Sequence, residues 1–266
     1  MVETAGKIIV LGMGFLGTKF GMRGYEVWDK ERFELPGFCI DLYLSVLDEY
    51  DVIINCIGKS NTRWCEKKEN FTKALRSNGL IPGVLSEYCF QHGKKFVHIS
   101  TGCLYDNGVT PQNETSLLAA HCNYTVTKWV GEKGCHEQDL ILRPRLLFGD
   151  FKPEGRNNLL CKLPQFTQFL TNWNSYTSVD VIVDAFEALI KNEQYGIFNV
   201  ACDGYASPHE ISRWIGMEGE MITAKQLRES EGLHLVNNIM DLSKLKQFYQ
   251  PPELKDEILR CWEALK

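Results

Sequence analysis

The run Lys7-Ile-Ile-Val-Leu-Gly-Met-Gly-Phe-Leu-Gly17 constrains this chain more than any other. An apolar, β-branched stretch feeds directly into Gly12-x-Gly14-x-x-Gly17 and then into a helix-compatible segment, the strand–turn–helix setting that a dinucleotide fingerprint requires. Gly12 permits the tight turn, Gly14 the close approach of a pyrophosphate, and Gly17 the close packing of helix on strand. The helix N-terminus, opening at Phe15 and Leu16, then faces the phosphates. Further apolar strand-like runs recur at 25–28, 52–57, 95–100, 140–143 and 197–200. Helices are predicted at 14–22, 67–78, 81–92, 124–135, 179–191, 208–215 and 252–266. That alternation predicts an α/β fold, a doubly wound parallel sheet of Rossmann type covered on both faces.

A chain of 266 residues can bury one full α/β core with a small appended lobe. The glycines and proline of Leu147-Phe-Gly-Asp-Phe-Lys-Pro-Glu-Gly155 predict a loop leaving the main sheet. The expected division is therefore an NAD(P)-binding domain over 1–150, rejoined by 179–201, and a C-terminal substrate-binding lobe from 151–178 and 202–266. A net charge of -5 provides no broad basic field for nucleic acid, and no apolar run approaches a membrane span. Met1 to Gly12 lacks the features of a secretory signal, so a soluble cytoplasmic protein is expected. The ten cysteines are scattered, several in apolar runs, which predicts free thiols rather than disulfides. No Cys-x-x-Cys pair occurs and the six histidines show no zinc-like spacing, so no structural metal is expected.

Tyr124 and Lys128 lie one helical turn apart in Asn123-Tyr-Thr-Val-Thr-Lys-Trp-Val-Gly-Glu132. An ammonium fixed beside a phenol makes it a usable general acid toward a carbonyl. In a doubly wound sheet ligands bind beyond the carboxyl ends of the strands, which directs attention to Ser100-Thr-Gly-Cys-Leu-Tyr105. There Thr101 can hydrogen-bond a substrate carbonyl, Tyr124 can protonate the same oxygen, and Lys128 can hold the cofactor ribose; together they suffice for hydride transfer. Asp29, after the second strand, is placed to accept from a ribose 2'-hydroxyl and favours NADH. Lys30 and Arg32 follow at once and could neutralise the 2'-phosphate of NADPH, so the cofactor is expected to be NADPH or NADH.

These residues resemble the extended short-chain dehydrogenase/reductase family. The glycine fingerprint, the strand end Asn55-Cys56-Ile57-Gly58, Thr101, Tyr124-x-x-x-Lys128 and Leu142-Arg-Pro144 fall in the family's order over essentially the whole chain. The closer likeness is to the dTDP-4-dehydrorhamnose reductase branch, particularly its bifunctional 3,5-epimerase/4-reductases that make UDP-L-rhamnose. It rests on Asn61-Thr-Arg-Trp-Cys-Glu66, Thr101-Gly-Cys103 and Asn157-Asn-Leu-Leu-Cys-Lys-Leu163. The resemblance implies that Cys56, Ile57 and Gly58 line the cofactor, that Cys103 faces the sugar as a base, that Lys162 faces Cys103 across the ring as the acid, and that Asn158 contacts the diphosphate. Apart from the resemblance, Cys103 reads as a small buried residue and Lys162 as a surface cation. Two departures stand out. A proline enters the helix that carries the family's relay asparagine, here Asn78, and although the stretch Leu233–Asp241 resembles the terminal sugar-nucleotide segment, the region before it is short and matches poorly.

The implied activity is conversion of a nucleoside-diphosphate 4-keto-6-deoxyglucose, UDP-linked, to NDP-L-rhamnose, with a nucleotide sugar as the partner molecule and a homodimer as the family's assembly. One alternative is a 4-ketoreductase without epimerase activity on a dTDP- or GDP-sugar. Another is a catalytically silent, NAD(P)-bound regulatory subunit, against which the intact Tyr124 and Lys128 argue.

Overall fold

The computed structural model describes residues 6–29, 44–105, 108–152, 158–231 and 237–266. The chain divides into two compact units, the first formed by Met1–Thr101, Ala120–Arg143 and Phe186–Phe198, the second by Gly102–Ala119, Pro144–Ala185 and Asn199–Lys266. Residues 102–119, 144–150, 179–185 and 199–201, expected in the dinucleotide domain, fall in the second unit.

The first unit is built on a six-stranded sheet. Its strands are β1 (Ile8–Leu11), β2 (Glu26–Trp28), β3 (Val52–Asn55), β4 (Lys95–Ile99), β5 (Leu140–Pro144) and β6 (Gly196–Val200), in the order β6-β5-β4-β3-β1-β2. The pairings β2–β1, β1–β3, β3–β4 and β4–β5 are parallel. Strands buried on both faces cannot afford an alternating pattern, and β3 and β5 are buried along their whole length. Alternate residues still sort by face: Ile9, Leu11, Ile53 and Phe96 join Leu85, Tyr88 and Cys89 in one cluster. Elsewhere Phe20 packs edge-on to Phe186 with ring centroids 5.6 Å apart.

Among the described residues the longer helices that accompany the sheet are α1 (Phe15–Met22), α2 (Phe71–Leu75), α3 (Ile81–Gln91), α4 (Asn123–Lys133) and α5 (Val179–Lys191). All six predicted strands form, and so do the predicted helices except the one over 67–78. There a 3-10 turn at Lys68–Asn70, α2, and a π turn at Arg76–Leu80 replace one continuous helix. Pro82 is the physical reason. It has no N–H to give to the carbonyl four residues back, that of Asn78, and its ring would press on it. Widening to the π register, with the Ile81 N–H bonded to the Arg76 oxygen, relieves both problems.

Helix α4 packs against this π turn at glycine. A Cβ on Gly131 would lie 2.1 Å from the Asn78 carbonyl oxygen, and one on Gly134 would lie 3.0 Å from the Gly83 Cα. The two helices therefore approach as closely as backbones can.

Among the described residues the second unit has three short parallel strand pairs: Gln168–Leu170 with Glu220–Ile222, Gly108–Gln112 with Asn238–Met240, and Leu147–Phe148 with Thr177–Ser178. Tyr105, Ala201, Met240 and Leu242 form a small core. The Tyr105 hydroxyl donates to Asn199 Oδ1 at 2.6 Å, and the Asn199 amide donates to the carbonyls of Gln112 and Asp241. Helix α6 (Pro208–Trp214) opens with a reciprocal Ser207–Glu210 capping box. Helix α7 spans Ala224–Glu231, and helix α8 (Leu254–Leu265) buries Leu254, Ile258, Cys261 and Leu265 at helical spacing. Among the described residues, no helix is long and apolar enough to cross a membrane.

Replacing Gly131 with alanine forces α4 off the π turn. The expected cost is about 1–3 kcal/mol, a fall in Tm of roughly 2–12 °C for a chain of this size. Differential scanning calorimetry returning an unchanged Tm would contradict the close backbone approach.

Candidate active site

In the first unit, β1 has β2 on one side and β3 on the other, so the chain reverses direction of winding at the carboxyl ends of β1 and β3. The fingerprint loop lies there. Gly12 has φ +103°, and a Cβ on it would sit 2.9 Å from the Ile57 nitrogen. A Cβ on Gly17 would sit 2.0 Å from the Gly12 oxygen, whereas one on Gly14 would meet nothing within 4 Å. Two of the glycines thus serve the fold, and the third leaves the loop open on its outer side. Helix α1 starts at Phe15 with Gly14 as its N-cap and no side-chain cap, so the positive end of the helix is aimed at the loop. A dinucleotide pyrophosphate fits this cradle: a side chain at Gly14 would fill it.

Around the loop, the Gly12 N–H donates to the Trp28 carbonyl at 2.7 Å, and half-buried Asp29 follows directly. Lys30 and Arg32 lie outside the described residues, as does Asn157. After β3, the Cys56 N–H bonds to the Leu11 oxygen at 2.9 Å and the Ile57 N–H to Asn55 Oδ1 at 3.0 Å. Burial pushes the Cys56 thiol up to about 12, against the pull of the Lys128 charge. A Cβ on Gly58 would lie 3.1 Å from Asn78 Oδ1 and 4.0 Å from Lys128 Nζ. The β3 loop, the π turn and α4 therefore meet at Gly58.

Helix α4 carries Tyr124 and Lys128, both buried. Lys128 Nζ donates to the carbonyl oxygen of Ile99, the last residue of β4, at 2.6 Å. Burial lowers its ammonium to about 8, while the negative charge of Glu132 acts the other way. Glu132 is in turn held by Arg143 through two hydrogen bonds of 2.9 and 2.5 Å, with both side chains almost inaccessible. Buried His98 on β4 stays neutral, its pKa held well below the ordinary value by burial and by the Lys128 charge. Thr101, two residues beyond Ile99, is also buried.

The segment 59–66 clamps the start of α4. Asn61 caps the single helical turn Thr62–Cys65, and Glu66 accepts from the Tyr124 N–H at 3.3 Å. The Asn123 side chain donates to the Cys65 carbonyl at 3.3 Å. A carboxylate at a helix N-terminus is favourable, which gives the Asn-x-x-Trp-Cys-Glu run a physical role. Asn78 completes the clamp: its oxygen accepts from the Lys59 N–H at 2.7 Å, and its amide donates to the Lys59 oxygen and to Thr127 Oγ1 at 3.1 and 3.0 Å.

In the second unit, half-buried Cys103 lies in the 3-10 turn Gly102–Leu104, and its sulfur accepts from Arg145 Nη1 at 2.6 Å. Arg145 went unnoticed in the sequence, although an arginine just after a strand buried along its length is rarely buried without partners. Lys162 ends the single turn Leu159–Lys162 and is half-buried. Asn158 is fully buried: its amide donates to the carbonyls of Gly149 and Phe151 at 2.7 and 3.0 Å, and its oxygen caps Leu160 at 3.1 Å. In this conformation Asn158 organises the segment around it.

The depressed Lys128 pKa carries a sign for stability. Between about pH 8 and the ordinary lysine value the unfolded chain binds more protons than the folded one, so raising pH through that window relieves the burial penalty. Lys128→Met is expected to be more thermostable than the wild type at pH 7, with the difference shrinking toward pH 10. Calorimetry at both pH values tests this; a difference independent of pH would contradict a buried, destabilising ammonium.

Residues 40–201 match the NAD dependent epimerase/dehydratase family. Over 213 residues the chain is 26% identical to the trifunctional UDP-glucose 4,6-dehydratase/UDP-4-keto-6-deoxy-D-glucose 3,5-epimerase/UDP-4-keto-L-rhamnose-reductase of Arabidopsis thaliana, covering 74% of this chain and 31% of that protein. Over 149 residues it is 28% identical to a probable low-salt glycan biosynthesis reductase of Haloferax volcanii, covering 52% of this chain and 48% of that one. The chain thus spans about a third of the first relative and about half of the second. Among solved structures, dTDP-4-dehydrorhamnose reductase from Bacillus anthracis in complex with NADP superposes with a TM-score of 0.84 at 19% identity, covering 98% of this chain and 99% of that one. UDP-rhamnose synthase from Acanthamoeba polyphaga mimivirus gives 0.82 at 16% identity, covering 98% and 100%. At such identities the likeness is one of fold. With a family match over more than half its length, a Rossmann-type sheet and a glycine loop with room for a pyrophosphate, the chain belongs to the NAD dependent epimerase/dehydratase family.

Proposed function

We propose that this chain is an NAD(P)H-dependent 3,5-epimerase and 4-reductase that converts a nucleoside-diphosphate 4-keto-6-deoxyglucose, UDP-linked, to NDP-L-rhamnose. The observation that carries the reading is the Tyr124–Lys128 helix, with the Lys128 ammonium seated on the Ile99 carbonyl at the strand end that leads into Thr101. The names of relatives lend support, since the Arabidopsis protein is a 3,5-epimerase and 4-reductase of UDP-sugars and one structural neighbour is a UDP-rhamnose synthase.

In this reading Gly12, Gly14, Phe15, Leu16 and Gly17 hold the pyrophosphate, Asp29 the adenosine ribose, and Cys56, Ile57 and Gly58 the middle of the cofactor. Lys128 holds the nicotinamide ribose and supplies positive charge beside the Tyr124 phenol. A reduced nicotinamide, when bound, supplies the hydride that adds with its electron pair to carbon 4. Tyr124 gives its hydroxyl proton to the resulting alkoxide, which Thr101 also holds.

Epimerisation comes first and needs a base on one face of the sugar and an acid on the other. The Cys103 sulfur, in its deprotonated form, takes the proton from the carbon beside the ketone. The C–H electron pair becomes the enolate, whose oxygen Thr101 and Tyr124 stabilise. Lys162 returns a proton from the opposite face, and exchange with solvent restores both groups.

Nuclear magnetic resonance of the protein with NADPH and UDP-4-keto-6-deoxyglucose in deuterated water tests the proposal. UDP-rhamnose deuterated at carbons 3 and 5 is expected; reduction without deuterium entry is the signature of a plain ketoreductase. Tyr124→Phe is expected to lower kcat for reduction by roughly 10²- to 10⁴-fold, and a loss below tenfold would remove Tyr124 from the acid's role.

A further inference from the structure

Arg145 offers a buried cation to a thiol. Its guanidinium is almost inaccessible, with Nη1 on the Cys103 sulfur at 2.6 Å and Nη2 on Asn174 Oδ1 at 2.7 Å. Two residues earlier in the chain, Arg143 directs its guanidinium to a carboxylate. Arg145 donates to a sulfur and to an amide oxygen, and a guanidinium on a sulfur stabilises negative charge there whenever the sulfur lacks its proton.

The surroundings fix this contact at both ends. The Arg145 N–H bonds to Thr177 Oγ1 at 2.8 Å, and Thr177 donates onward to the Val200 carbonyl at 2.7 Å. Asn174 Oδ1 also accepts from the Asn238 N–H at 3.2 Å, while the Asn238 amide donates to the Gly102 carbonyl at 3.0 Å. Gly102 precedes Cys103, and a Cβ on it would lie 2.6 Å from the Met240 sulfur, so the turn that carries the thiol has little room to shift. Both the sulfur and its cation are therefore preorganised by the same two asparagines.

We propose that Arg145 is the positioning residue of the epimerase half-reaction, aiming the Cys103 sulfur and supplying its countercharge while the sulfur acts as base. The inference rests on the epimerase reading of the preceding subsection and assigns it a residue that the family resemblance left without a role.

The test uses the NADPH-loaded enzyme, wild type beside Arg145→Met and Arg145→Lys, with two substrates in deuterated water. With UDP-4-keto-6-deoxyglucose, deuterium entry at carbons 3 and 5 is expected to slow by roughly 10- to 100-fold in Arg145→Met and to recover in part in Arg145→Lys. With UDP-4-keto-L-rhamnose, which is already epimerised, reduction by both variants is expected to stay within about threefold of wild type, the level at which a residue outside the hydride-transfer machinery acts. Wild-type exchange rates in Arg145→Met would overturn the assignment and leave the epimerase reading standing. Loss of both activities in both variants would make Arg145 a packing residue and equally overturn it. A wild-type enzyme that reduces without deuterium entry would remove the epimerase reading itself, and the assignment with it.

Discussion

Placing the Lys128 ammonium in the interior, on the Ile99 carbonyl, is the arrangement on which the chemistry proposed for the first unit depends. Burying a cation is unfavourable unless it is hydrogen-bonded and near opposite charge. The carbonyl at the end of β4 supplies the first requirement and Glu132, held by Arg143, supplies the second. What remains is a lysine whose affinity for its proton is weakened, one helical turn from the Tyr124 phenol. Stability is given up there for a charge in a fixed place, a pattern common at functional sites.

The neighbouring elements make sense as devices that keep α4 in register with β4. Pro82 drives the π turn, the π turn brings the Asn78 carbonyl onto Gly131, and the Asn78 side chain ties Lys59 to Thr127. Glu66 and Asn123 fasten the helix start to the turn Thr62–Cys65. In the second unit a comparable role falls to Asn174 and Asn238, which lock Arg145 and the Gly102 carbonyl around Cys103. Both units thus hold a candidate side chain against polar groups that are themselves anchored by several hydrogen bonds, contacts that restrict how far either side chain can move.

Much of this was legible from residues alone, for reasons that can be named. The central strands were readable because parallel strands buried on both faces are written as unbroken apolar runs, as in Val52–Asn55. The glycine loop was readable because Gly12 and Gly17 answer steric demands of the backbone and Gly14 leaves the loop open at the fingerprint's spacing. The helix over 67–78 was expected to be continuous, since helical periodicity does not reveal that a proline at 82 acts on the carbonyl of Asn78. The second unit's two- to five-residue strands were missed because segments that short carry almost no periodic signal. Arg145 was hidden for a different reason: its partners Cys103 and Asn174 lie 42 and 29 residues away, so no local pattern contains the contact. Asn158, expected at a diphosphate, has its amide committed to the backbone around it, which spacing cannot foretell.

The most direct test of the account is a crystal structure of the wild-type protein with NADP+ and UDP-rhamnose bound together. The account predicts the pyrophosphate over Gly12–Phe15, the carbon-4 hydroxyl within hydrogen-bond reach of Tyr124 and Thr101, about 2.6–3.2 Å, and the Cys103 sulfur facing the ring. A sugar ring seated away from Tyr124, or a pyrophosphate lying elsewhere than on the glycine loop, would contradict it.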